Sequence, residues 1–182
     1  MAERRSERLA QIVGAARALL EERGPDALTM RSVAETLGIR APSLYKHVPD
    51  KADLETAIVA DGLAEMADVH AAAIAGHPDP LLALAQTYRA WALHHPHLYR
   101  LMTAKPLDRD RLPEGLEDRA AAPIVDACGG DPDRARAAWA FAHGMVSLEL
   151  ADRFPPDADL GAAWSAGIDA YRPMEVSADP PR

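Results

Sequence analysis

Residues 29–51 read TMRSVAETLGIRAPSLYKHVPDK, and their spacing predicts two short helices joined by a tight turn. Thr29 is placed to N-cap the first, because its hydroxyl can accept from a backbone N–H that the helix leaves unpaired. Val33, Ala34 and Leu37 give one buried stripe, with Glu35 and Thr36 on the polar side. Gly38 supplies the positive φ that ends this helix, and Ile39 is expected to turn back into the core. Ala41-Pro42-Ser43 opens the second helix, with the proline where a missing N–H costs nothing. Leu44 and Val48 face inward with Leu37, which pushes Ser43, Tyr45, Lys46 and His47 outward. That outer face carries donors and an aromatic ring but no carboxylate, the chemistry that phosphate oxygens and base edges require.

An ordinary helical hairpin with a polar outer face would show the same periodicity. It does not account for the coincidence of the Thr29 cap, the Gly38 turn, the run Leu44-Tyr45-Lys46-His47-Val48 and Lys51 just beyond. This run resembles the DNA-binding motif of the tetracycline-repressor (TetR) family, in which Leu-Tyr-x-His-(Phe or Val) is followed by a lysine. The resemblance implies phosphate contacts for Tyr45, His47 and Lys51, and base-edge approach for Ala41, Pro42, Ser43 and Lys46. Arg40, in the turn, is expected at a base or a phosphate. Thr29 and Arg31, at the start of the preceding helix, are expected to grip the backbone. Position 41 is often a longer polar residue in the tetracycline repressors themselves, so Ala41 leaves the operator sequence open.

The formal net charge of −8 looks unsuited to a polyanionic partner until it is divided along the chain. Residues 1–51 hold nine Lys and Arg against seven Asp and Glu, a local +2, whereas the remainder holds eleven against twenty-one. The basic excess therefore lies on the end that carries the motif, where local charge decides phosphate affinity. Ala, Leu and charged residues dominate and no stretch alternates with period two, which predicts an all-α protein. No run of apolar residues is long enough to span a membrane, and MAERRSERL lacks the apolar core of a secretion signal. The single cysteine, Cys128, rules out an internal disulfide framework and fits a reducing cytoplasm.

Around the motif, Leu9, Ile12, Val13, Ala16, Leu19 and Leu20 predict a first helix from about Ser6 to Arg23, stopped by Gly24-Pro25. Its stripe should pack on Val33, Leu37, Leu44 and Leu54 to form a three-helix head over residues 1–52. Asp50 is expected to cap a long fourth helix from Lys51 toward Ala75. Residues 53–172 then read as a helical ligand-binding and dimerisation domain, and 173–182 as a disordered tail. Within that domain the segment KPLDRDRLPEG is expected to be mobile. Asp131-Pro132 opens a helix running to about Phe154. Trp139-x-x-x-His143-Gly144 resembles the Trp-His-Gly motif of one subgroup of TetR-like C-terminal domains. Leu160, Trp164, Val146 and Leu150 are expected at a dimer interface.

Tyr88, Trp91, Tyr99, Met102, Trp139 and His143 combine apolar bulk with a few polar handles, as a pocket for a small, mostly apolar effector would. The histidines His94, His95 and His97, with His70, His77 and His143, lack a paired i, i+4 arrangement with a carboxylate, and Pro96 splits the cluster; neither a metal nor a cofactor is expected. The reading is a homodimeric, ligand-responsive transcriptional repressor on a double-stranded, palindromic DNA operator, away from the membrane. The alternatives, a small helical enzyme or a ligand carrier without DNA binding, leave the outer face of residues 40–51 unexplained.

Overall fold

The structure, a computed structural model, describes residues 2–173, with side chains from Ser6 onward; all of the expected tail except Pro173 lies outside the described residues. The described chain is all-helical. Its α-helices are α1 (Ala2–Arg23), α2 (Met30–Thr36), α3 (Ala41–Leu44), α4 (Lys51–Ile74), α5 (Pro80–His94), α6 (Pro96–Thr103), α7 (Leu116–Ala127), α8 (Pro132–Leu150) and α9 (Leu160–Asp169). Contacts group them into two compact units. The first is the chain up to Met66 together with Trp91–Ala120; the second is Ala67–Ala90 together with the chain from Ala121 onward. The segment 91–120 thus folds with the head, a long-range association that no local pattern announces.

In the first unit, Ile12, Ala16, Leu19 and Leu20 of α1 are buried with Val33, Ala34, Leu44, Val48, Leu54 and Ile58. Full burial of each Leu, Ile or Val side chain among these contributes roughly 1.5–3 kcal/mol, so this cluster outweighs the weak intrinsic helicity of elements as short as α2 and α3. Leu28 and Met30 join it, although the sequence pattern singled out neither. Leu37 and Ile39 are only half-buried, because the turn lifts them toward solvent.

Two polar connections hold α1 in place. Arg17 bonds Asp61 at 2.9 Å and also pairs with Glu65, both on α4. Glu21 accepts from the backbone N–H groups of Leu98 (2.7 Å) and His97 (3.4 Å), satisfying orphan donors at the start of α6. Glu65 also accepts from the Trp91 indole N–H at 2.8 Å. Burial disfavours its charged form, but the bonds from Trp91 and Arg17 outweigh this and its pKa is lowered. Where α4 meets α6, Gly62 permits a close approach: a Cβ there would lie 2.7 Å from Met102 Sδ.

The second unit is built around α8 and α9. Asp131 caps α8 by accepting from the N–H groups of Asp133 (3.0 Å) and Arg134 (3.1 Å). The helix buries Ala135, Ala138, Ala142, Met145 and Val146. It ends at Leu150, earlier than the expected Phe154, because Asp152 adopts a φ of 52° and Arg153 N–H returns to the Leu148 carbonyl at 3.0 Å. Glu149 takes three bonds from Arg89, at 3.1, 2.9 and 2.7 Å, and one from Trp164 Nε1 at 2.6 Å. Trp164 also packs edge-on against Phe141, 5.7 Å between centroids. The expectation that Trp164 and Val146 face a second subunit is therefore corrected: both are buried by their own chain. The large apolar residues that α8 leaves exposed are Trp139 and Leu148.

Candidate nucleic-acid interface

The turn between α2 and α3 is built as its residues dictate. Thr29 Oγ1 accepts from Ser32 N–H at 3.1 Å, which fixes the start of α2. Gly38 has a φ of 65°, and Ile39 N–H reaches back to the Ala34 carbonyl at 3.0 Å, closing the helix end. Arg40 then holds an extended conformation and Ala41 begins α3, with Ser43 N–H bonded to the Arg40 carbonyl at 2.8 Å. α3 is a single turn, extended by a turn in which Val48 N–H bonds the Leu44 carbonyl at 3.0 Å. Leu44 and Val48 are buried, which fixes the rotation of the whole segment.

That rotation exposes Arg40, Pro42, Ser43, Tyr45 and Lys46, with Ala41 and His47 half-buried. Half of the Tyr45 surface is open to solvent, unusual for an aromatic ring beside a small core. Arg40 and Lys46 have no carboxylate partner among the described residues. His47 Nδ1 is buried without a hydrogen-bond partner. Arg31 stands on the exposed side of α2 and bonds Glu35 at 2.8 Å. Thr29 is also exposed. Lys51, at the head of α4, lies 3.7 Å from Glu55. The residues singled out from the sequence thus run from the cap of α2, through the turn and α3, to the first residue of α4. Between residues 36 and 49 the chain carries no carboxylate.

The six candidate effector residues are divided between the two units. Trp91, Tyr99 and Met102 belong to the first unit, and Tyr88, Trp139 and His143 to the second. Trp91 and Tyr99 are core residues, and Trp91 commits its indole N–H to Glu65. Met102 is half-buried beside Gly62. Trp139 is 52% exposed, its ring 6.1 Å from His143. Tyr88 is buried 5.9 Å from the ring of His70. His70, not among the six, is buried with Nε2 unpartnered, and burial pushes its pKa down to about 4. A groove of about 970 Å³ in the first unit is lined by α1, α4 and residues 111–119, and by none of the six. Among the described residues, no group of three or more His, Cys, Asp or Glu side chains is placed to hold a metal. The segment 105–115, expected to be mobile, contains a 3₁₀ turn at Arg109–Arg111 and is tied to α4 by ion pairs.

A helix-turn-helix with a cationic, donor-bearing outer face defines a DNA-binding transcriptional regulator. Residues 12–58 match the family described as bacterial regulatory proteins, tetR family, and residues 81–171 match the tetracyclin repressor-like C-terminal domain. The chain belongs to the TetR family of transcriptional regulators. An uncharacterised HTH-type transcriptional regulator of Mycobacterium tuberculosis is 36% identical over 150 residues, 76% of this chain and 68% of that protein. The class D tetracycline repressor of Escherichia coli is 44% identical over 57 residues, 31% of this chain and 26% of that one. Among solved structures, a protein described as regulatory matches with a TM-score of 0.74 at 29% identity, over 94% of this chain and 98% of the other. A TetR variant from Acinetobacter baumannii AYE in complex with minocycline matches at 0.61 and 27%, over 88% and 91%. No described helix is long and apolar enough to cross a membrane.

Proposed function

We propose that the protein is a ligand-responsive repressor that works in the cytoplasm and binds a palindromic operator as a homodimer, each α2–α3 pair entering one major groove. The observation that carries this reading is the outer face of residues 40–47, cationic, free of carboxylates and presenting Tyr45 to solvent. On this face Tyr45, His47 and Lys51 donate to phosphates, Thr29 and Arg31 hold the adjacent backbone, and Arg40, Ala41, Pro42, Ser43 and Lys46 approach the bases. The exposed Trp139 and Leu148 of α8 supply the apolar surface for a second copy.

The effector is a small, mostly apolar molecule. The relative solved with minocycline favours a ligand-responsive reading, and within this chain Tyr88 beside the unpartnered His70 offers an aromatic surface with one hydrogen-bonding nitrogen. Trp91, Tyr99 and Met102 serve the core of the first unit. An effector needs only a differential affinity of a few kcal/mol between DNA-competent and incompetent states. A gel shift with the DNA flanking its own gene tests the reading: wild type retards the fragment and Tyr45→Ala, folded, does not. Equal retardation by both would overturn it.

A further inference from the structure

Four ionic side chains bring residues 105–111 onto the first turns of α4, beside the lysine that follows the recognition segment. Lys105 Nζ lies 2.8 Å from Glu55 Oε2, and the other Glu55 oxygen lies 3.7 Å from Lys51 Nζ. Arg111 Nη1 lies 3.0 Å from Asp53 Oδ1, and its Nε lies 3.2 Å from Asp108. All of these residues belong to the first unit.

Asp53 and Glu55 follow Lys51 by two and four residues, so they stand within about one helical turn, roughly 6 Å of rise, from it. That is inside the screening length of about 8–10 Å at ordinary salt, so an uncompensated carboxylate there opposes a phosphate bound at Lys51. Ion pairs as exposed as these add little to stability. Beside a polyanion, however, the charges they cancel act directly on binding.

We propose that Lys105 and Arg111 are positioning residues for DNA binding: they neutralise Glu55 and Asp53, so the charge that DNA meets at the end of the recognition segment is completed by cations from the 105–111 strap. This rests on the reading of Lys51 as a phosphate contact. It differs from a mechanical tie in the sign of its consequences. If the strap only braced α4, removing either side of each pair would do equal harm. If it neutralises, removing the carboxylates instead of the cations leaves binding intact or improves it.

The experiment measures affinity for a DNA duplex that the wild-type protein enriches from a randomised pool, over a series of salt concentrations, with melting curves to verify folding. The Lys105→Met/Arg111→Met protein should bind about three- to tenfold more weakly at low salt, the gap closing as salt rises. The Glu55→Gln/Asp53→Asn protein should bind as tightly as wild type or more so. The quadruple variant should return to within about twofold of wild type, since the neutralised groups are gone with their partners. Unchanged low-salt affinity in the first variant, or an equal loss in the second, overturns the proposal. Tyr45→Ala separates the two readings. If it abolishes binding while the strap variants bind as wild type, only the strap inference fails; if it binds as wild type, the interface reading fails and this proposal with it.

Discussion

Tyr45 and Lys51 make different demands on DNA, and their variants should fail differently. Tyr45→Ala removes an exposed ring that touches little of its own core, so it should melt like wild type and lose operator binding. Lys51→Ala should weaken binding across all sequences and reduce the slope of log K against log salt by about one per half-site. His70 gives a prediction on stability. Its pKa is pushed down to about 4 in the fold, against about 6.5 in the unfolded chain. The unfolded state therefore takes up the proton first, and stability present above pH 6.5 drains away as pH falls toward 4. Melting temperatures measured across this window should decline in wild type and stay flatter in His70→Leu. A parallel decline in both would show that His70 is not the titrating group. The phosphate-contact candidates were legible because each is a residue type at a fixed offset from the turn. His70 was not, because its burial comes from packing that no local pattern reports.

Among the elements, the turn between α2 and α3 is where local sequence rules and tertiary structure agree. Thr29→Ala should cost about 1 kcal/mol through the lost cap on Ser32 N–H, visible as a lower midpoint in urea denaturation. Gly38→Val should cost about 1–3 kcal/mol, because a β-branched residue is strained at a φ of 65°. Unchanged midpoints would argue that the turn is built differently. The start of α8 was equally legible, Asp131 and Pro132 being adjacent in sequence. Its end was not: the Pro155-Pro156 signal lies beyond the residues that stop the helix, where Asp152 takes a left-handed conformation. Grouping of Trp91–Ala120 with the head was also invisible, since it rests on Glu21 reaching the start of α6 and Glu65 reaching Trp91 from distant parts of the chain.

At the scale of the whole molecule, a regulator that reads a two-fold operator must itself pair. The sequence pattern assigned Trp164 to that role because it is large and apolar, but bulk alone does not reveal which face an amphipathic helix keeps for its own core. The structure leaves Trp139 and Leu148 outward instead. Trp139→Glu/Leu148→Glu should sediment as a folded monomer at micromolar concentration, whereas Trp164→Glu should unfold because it buries a charge beside Glu149. A dimer that survives the first pair of changes would place the interface elsewhere. The central claim, two recognition segments on one symmetric site, is tested most directly by enriching duplexes from a randomised pool with wild-type and Tyr45→Ala protein side by side. The account predicts that wild type enriches a two-fold symmetric sequence with half-sites about one helical turn or a multiple apart, and that Tyr45→Ala enriches nothing. Enrichment of an asymmetric site, or the same enrichment by both proteins, would contradict it.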